Sequence, residues 1–257
     1  MNKIFDLKNK KAIVTGGYGY LGSEMCRALA QAGATVIVGG RIREKYHKVF
    51  TELERETIHF ETLDIMDADS VKSFFNNICQ NYGKVDVLVN NAFSLKSNKP
   101  EYVTRADLVQ SFDGIIASVA DCIYAAQPYF SDKAKVINIS SMYGLVSPDF
   151  EIYKKYPEYF NSMQYGAAKA AIIQLTRYYA NYFAEKGICV NCISPGPFPS
   201  LEVQKNIGFI DELIKRVPLK RIGNPKEITG ALLLLSTAAS DFITGQNIVI
   251  DGGWTIR

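Results

Sequence analysis

Short runs of β-branched and apolar residues alternate with helical patterns from one end of the chain to the other, and this alternation admits few folds. The runs fall at 11–15, 35–39, 58–62, 85–90, 136–140, 188–193 and 247–250. Helical patterns fill 21–32, 43–55, 68–82, 104–127, 163–185 and 225–238, with Gly33 and Gly187 placed to end the first and the fifth. Strand and helix in strict alternation predict a parallel sheet with covering helices. Several runs are apolar at nearly every position, as strands buried on both faces require. The expected class is therefore α/β, a doubly wound, seven-stranded parallel sheet with helices on both faces.

The chain has 257 residues, 47% of them hydrophobic and 21% charged. That is long enough to bury a core without disulfides or metals, and no repeat, low-complexity tract or linker divides it, so one domain over 1–257 is expected. A net charge of +3 lacks the concentrated basic footprint of a nucleic-acid binder. No uninterrupted apolar run approaches the roughly 18 residues of a membrane span. The start, Met1-Asn2-Lys3-Ile4-Phe5-Asp6, has no apolar signal region behind it. The expectation is a cytoplasmic protein with no membrane and no nucleic-acid partner. Of five cysteines, Cys189 and Cys192 spell C-x-x-C. Within a strand they point to opposite faces about 10 Å apart, beyond disulfide reach, and no second pair completes a zinc site. Buried thiols and no metal site are expected.

Two segments break the alternation, 141–163 and 195–218, and both follow strand ends, where open α/β sheets bind ligands. The first strand also runs into Thr15-Gly16-Gly17-Tyr18-Gly19-Tyr20-Leu21-Gly22. Glycines at 16, 19 and 22 permit a tight turn that delivers a pyrophosphate to a helix N-terminus. Opening the first strand–helix–strand unit is the context such a turn needs to be informative.

The motifs that follow occur in a distinctive order: Asn90-Asn91-Ala92, Ser140-Ser141, Tyr165-Gly166-Ala167-Ala168-Lys169, Asn191 with Pro195-Gly196, and Asp251-Gly252-Gly253. With the glycine turn they resemble the short-chain dehydrogenase/reductase family over essentially the whole chain. The resemblance implies a single-domain Rossmann fold and an NAD(P)(H)-dependent oxidoreductase interconverting a secondary alcohol and a ketone. It implies cofactor contacts from Gly16, Tyr18, Gly19, Tyr20 and Leu21, from Asp64 and Ile65, from Asn91 and Ala92, and from Pro195, Gly196, Phe198 and Ser200 over the nicotinamide. Two departures stand out. Tyr20 replaces a glycine of the commonest turn, with Gly19 one place earlier, and Phe93 stands where the family usually has a glycine, beside the cofactor path.

Cofactor choice is read at the end of the second strand, where an acid would select a 2′-hydroxyl. Gly40 occupies that place, followed by Arg41 and then Arg43. A guanidinium fork suits phosphate, so NADP(H) is the preferred cofactor and NAD(H) the alternative. Arg41 has a competing role, a surface pair with Glu44. Asp64 could meet the adenine or simply cap the helix near Asp67.

Tyr165 and Lys169 are four apart and share a helix face. A tyrosine titrates near 10, and a neighbouring ammonium lowers that value. Ser140 and Ser141 compete for the third role. The family places its serine before x-x-Gly, which Ser141-Met142-Tyr143-Gly144 matches, leaving Ser140 to the sheet packing. The resemblance then makes Ser141, Tyr165 and Lys169 catalytic. Ser141 orients the substrate oxygen, Tyr165 exchanges its proton, and Lys169 holds the nicotinamide ribose. Many members add an Asn for a proton-relay water. Here Gly114 or Ile115 takes its place, and Ser111 and Ser118 are the hydroxyls nearby.

Ser141 and Tyr165 are 24 apart, an insertion of about 11 residues, a length usual in functional loops. Tyr153, Tyr156 and Tyr159 lie in it and predict an aromatic wall over the site. Lys154 and Lys155 either recognise a substrate anion or are solvated surface charge. The insertion resembles that of members acting on sugars and sugar acids, including some in glycan and flagellin modification. Substrate preference is expected in loops 142–163 and 197–217, the latter a mobile lid. The resemblance also implies a homotetramer or homodimer built through 104–127 and 163–185 and the segment 248–254. The competing classes are a dinucleotide-binding sensor or scaffold without catalysis, motivated by the missing Asn, and a methyltransferase, which leaves the Tyr-Lys pair unexplained.

Overall fold

The computed structural model describes residues 3–96 and 100–256; Met1 and Asn2, on which the reading of the N-terminus rests, lie outside the described residues. Seven strands, β1 (Lys11–Thr15), β2 (Thr35–Gly40), β3 (Ile58–Thr62), β4 (Val85–Asn90), β5 (Phe130–Ile139), β6 (Cys189–Pro195) and β7 (Asn247–Ile250), form one sheet. All pairings are parallel, in the order β3-β2-β1-β4-β5-β6-β7. The order reverses between β1 and β4, so the connections leaving these two strands diverge and open a crevice beyond their carboxyl ends.

Side chains on β1 alternate between two cores. Ile13 joins Phe74, Phe75, Ile123 and Ile172 on one face, while Ala12 and Val14 join Met25, Leu29 and Leu232 on the other. The helices that cover them are α1 (Tyr20–Gln31), α2 (Arg43–Val49), α3 (Ala68–Tyr82), α4 (Arg105–Phe112), α5 (Ser118–Ala126), α6 (Phe150–Lys155), α7 (Met163–Tyr182), α8 (Ile207–Arg216) and α9 (Thr229–Ser236). Gly33 (φ 103°) follows the end of α1 as expected, while α7 stops at Tyr182 and Gly187 (φ 69°) ends the 3-10 turn Ala184–Lys186 that continues it. Cys189 and Cys192 are buried free thiols on β6.

Several boundaries differ from the sequence reading. β5 starts at Phe130 rather than 136 because buried Phe130 pairs with Val85 across a register shift. α2 stops at Val49, six residues early. There the Glu54 carboxylate accepts from Thr51 N and from Arg27, and Phe50 drops into the core. α4 and α5 are joined by a π-helical stretch, Asp113–Ala117. An 18-residue stretch of the rod from Arg105 to Tyr129 reaches a mean hydropathy of 1.3, so the rod is long and apolar enough to cross a membrane, a property that counting uninterrupted runs misses. Its inner residues Ile115, Val119, Cys122 and Ile123 pack in the sheet core, which makes it a core helix.

The largest difference concerns the two segments read as loops. Asp149 caps α6, accepting from Glu151 N, and Asn206 caps α8, accepting from Phe209 N. Together they build a third core of Met142, Tyr143, Ile152, Tyr153, Phe209, Leu213, Val217 and Trp254. The expected lid is thus half helical, and it docks on the insertion.

Candidate active site

Thr15, at the end of β1, stitches the crevice together. Its hydroxyl accepts from Asn91 N and Ala92 N, each at 3.0 Å, while Asn91 Nδ2 donates to Thr15 O at 3.0 Å and Gly16 O at 3.2 Å. Gly16 (φ 64°) then turns the chain, and α1 starts after Gly19 with no side-chain cap and no acid in its first turn. Its leading N–H groups face an anion site by default. A cavity of about 480 Å³ opens here. Gly16, Tyr18, Gly19, Tyr20, Leu21, Arg41, Asp64, Ile65, Asn91, Ala92, Phe198 and Ser200 line it, and so do Gly40, Met66 and Phe93.

Gly40 has a steric reason. A Cβ there would lie 2.3 Å from the Tyr18 ring, whose hydroxyl accepts from Arg41 N at 3.1 Å and Ile42 N at 3.3 Å. Tyr18 thus fills the space an acidic side chain would need. Among the described residues Arg41 makes no ion pair with Glu44, so that competing role is not seen, whereas Arg43 lies over the Phe60 ring at 4.8 Å. Asp64 does not cap α3. Asp67 does, accepting from Asp69 N and Ser70 N, and Asp64 Oδ1 instead accepts from Met66 N at 3.0 Å at the cavity wall.

A second cavity of about 270 Å³ adjoins the first, lined by Ser141, Tyr143, Tyr153, Tyr159, Asn161, Tyr165, Gly196, Phe198, Phe209 and Leu213 among others. Ser141 and Tyr165 meet because α7 packs directly on the turn after Ser141. A Cβ on Gly144 would lie 2.8 Å from Lys169 C, and one on Gly166 would lie 2.9 Å from Tyr143 O. Ser141 and Tyr165 line the same cavity, with the Ser141 hydroxyl near enough to act on the Tyr165 phenol. Ser140 points away, donating to Lys169 O at 2.7 Å, as its packing role requires.

The charge arrangement differs from expectation. Burial holds the Tyr165 hydroxyl above its ordinary value, with the Ser141 hydroxyl pulling the other way. Lys169 is not what lowers it. Its Nζ donates to Ile139 O at 2.8 Å, lies 4.8 Å over the Phe93 ring and 5.7 Å from the Tyr165 ring centre, and burial pushes it down to about 8. Phe93 also meets the Tyr165 ring at 5.9 Å. The ring that breaks the family pattern therefore packs against both Tyr165 and Lys169 at the edge of the crevice. Ser111 donates to Asp107 O and Ser118 to Gly114 O, the backbone carbonyls one turn earlier.

Lys169 and Pro195 line neither cavity, and Gly196 lines only the second. Tyr156 is likewise outside it, packed edge-on against Phe209 at 5.8 Å. Lys154 pairs with Glu151 at 2.5 Å and Lys155 with Glu212 at 3.0 Å, so the surface-charge reading holds and anion recognition by these lysines does not. Sequence reasoning missed Tyr143, Asn161, Phe209 and Leu213. The apolar pair Phe209 and Leu213, four apart, carried a helical signal; Asn161 carried none.

A glycine turn at the switch point, beside buried Ser141 and Lys169 and half-buried Tyr165, defines a dinucleotide-dependent oxidoreductase. Residues 20–255 match the family model described as enoyl-(acyl carrier protein) reductase. The chain is 31% identical to the 2-dehydro-3-deoxy-D-gluconate 5-dehydrogenase of Escherichia coli, covering 98% of each chain. It is 32% identical to the 3-oxoacyl-(acyl-carrier-protein) reductase FabG of Chlamydia muridarum, covering 96% of this chain and 98% of the relative. Its fold matches a crystal structure of a gluconate 5-dehydrogenase from Burkholderia cenocepacia in complex with NADP and tartrate. The TM-score is 0.88 at 26% identity, covering 99% of this chain and 98% of the other. The chain belongs to the short-chain dehydrogenase/reductase family and is an NAD(P)-dependent oxidoreductase acting on CH–OH groups.

Proposed function

We propose that this chain interconverts a ketone and a secondary alcohol on a small hydroxylated, sugar-like molecule, using NADP(H). The observation that carries the reading is the placement of Ser141 and Tyr165 together in a 270 Å³ cavity that adjoins the glycine crevice. The crevice suits a phosphorylated dinucleotide: the uncapped start of α1 offers N–H donors to the pyrophosphate, and Arg41, with no ion pair among the described residues, offers a fork to a 2′-phosphate. Asp64 and Ile65 lie at the adenine end, and Pro195 to Ser200 at the nicotinamide end. The bound cofactor supplies or accepts the hydride. Ser141 positions the substrate oxygen, Lys169 meets the ribose, and Tyr165 gives or takes the proton. A hydroxyl raised by burial is protonated at neutral pH, which suits proton donation to a ketone.

The cavity volume sits at the lower edge of small-molecule pockets, roughly 300–1,000 Å³, which favours a sugar-sized molecule over a steroid. Among the described residues no Lys or Arg lines it, so a carboxylate would meet hydroxyl and amide donors there. The gluconate and 2-dehydro-3-deoxy-gluconate dehydrogenases among its relatives support the class. Assembly as a homotetramer or homodimer is supported by exposed Val109 and Tyr124 on one predicted interface helix and exposed Tyr178 and Tyr182 on the other. NADPH oxidation measured across keto-sugars, keto-acids, acyl thioesters and steroid ketones tests the function. Hydroxylated ketones should be turned over fastest, with NADPH favoured over NADH; faster turnover of acyl thioesters or steroids overturns the reading.

A further inference from the structure

The insertion does more than wall the cavity. Tyr153 on α6 returns to Tyr143, two residues after Ser141, and their hydroxyl oxygens are 2.7 Å apart. Asn161, four residues before Tyr165, donates its amide to Tyr153 at 3.0 Å. The two hydroxyls carry two hydrogens. One is shared between them, and Asn161 contributes its own, so one O–H has no acceptor among the described residues. Both tyrosines are buried, 7% and 5% exposed, and buried polar hydrogens are seldom left unmatched. Both line the cavity that holds Ser141 and Tyr165. The arrangement is braced: Trp254 meets Tyr143 edge-on at 6.5 Å and Phe160 meets Tyr153 edge-on at 5.8 Å.

We propose that Tyr143 and Tyr153, held by Asn161, form a second oxygen-binding point that donates one hydroxyl hydrogen to a substrate oxygen on a carbon other than the reacting one. The chemistry selected is an oxygenated ketone of the carbohydrate type, and the inference rests on the ketone-alcohol reading of Tyr165. Removing either hydroxyl alone still leaves one free hydrogen. Removing both leaves none. An Asn161→Asp change also leaves none, because its carboxylate accepts from Tyr153 and draws the spare hydrogen into the chain.

The test compares a neutral keto-sugar with its mono-deoxy analogues, one position at a time. Wild type should prefer one oxygenated position over its deoxy analogue by roughly tenfold in kcat/KM, mainly through KM. The Y143F/Y153F double variant and Asn161→Asp should lose that preference. Tyr143→Phe and Tyr153→Phe should each keep it within about threefold. Survival of the preference in the double variant or in Asn161→Asp, or its loss in both single variants, overturns the subsite. If the double variant does not fold, Asn161→Asp decides. If wild type reduces no keto-sugar, the proposed substrate class fails instead. The same variants are then run on the best ketone found, and only the same pattern, loss in the double variant and Asn161→Asp but not in the singles, leaves the subsite standing.

Discussion

The two adjoining cavities are built differently. The crevice beyond β1 and β4 is shaped mainly by backbone: an uncapped helix start, a turn at Gly16, and Thr15 and Asn91 tying strand ends together. The substrate cavity is shaped by side chains, among them Tyr153 and Tyr159 of the insertion and Phe209 and Leu213 of α8, which pack into a core of their own. A backbone-built site depends on residues that permit a conformation, and these leave fixed spacings in the sequence. A site built from side chains depends on where helices come to rest, and leaves none.

The sharpest division between the two cavities should appear in Tyr165→Phe. The hydroxyl belongs to the substrate side, so its loss removes the proton donor and not the dinucleotide site. Turnover should fall by roughly 10²- to 10⁴-fold, while NADPH dissociation, followed by fluorescence titration, stays within about twofold. A parallel loss of NADPH affinity would mean that the two cavities act as one. Arg41→Ala should do the converse with a smaller effect. NADPH binding should weaken by about 10- to 100-fold, the scale of a charge-assisted hydrogen bond, with NADH binding unchanged. Equal losses for both cofactors would remove Arg41 as the phosphate-reading group.

The same division governs how much was legible in the sequence. The seven strand positions, the glycine turn, Gly40 with Arg41, and Ser141 with Tyr165 could all be located from spacing. What Gly40 is for could not, because the Tyr18 ring that excludes a larger residue reaches it across 22 residues of chain. The insertion was visible as a length, but not as α6 returning Tyr153 to Tyr143, a contact set by Ile152 and Phe209 entering a common core. The short helices α6 and α8 lie among prolines and aromatic residues that obscure a helical period, and tertiary packing with their Asp149 and Asn206 caps decides them. Lys169 was placed correctly on the helix but assigned a neighbour it does not chiefly serve. The i,i+4 rule fixes a shared face, and it does not say that a backbone carbonyl, Ile139 O, is nearer than the phenol.

Lys169 sits on the border between the cavities, lining neither, behind the Phe93 ring, and it offers the subtlest test of how separate they are. Burial lowers it from 10.5 to about 8, so its ammonium is present below that pH and is lost as pH rises through it. If it serves the ribose, NADPH affinity should fall severalfold between about pH 7 and pH 9.5, the scale of one charged hydrogen bond. Lys169→Met should bind more weakly at pH 7 and show a flat profile. Stability takes the opposite sign. Between about 8 and 10.5 the unfolded chain binds more protons at this site than the folded one, so this group's contribution to stability rises with pH across that window. An affinity that weakens while stability improves separates loss of the ammonium from alkaline unfolding. A wild-type affinity that stays level to pH 9.5 would place the ammonium outside the dinucleotide site, with its carbonyl bond to Ile139 as its main role.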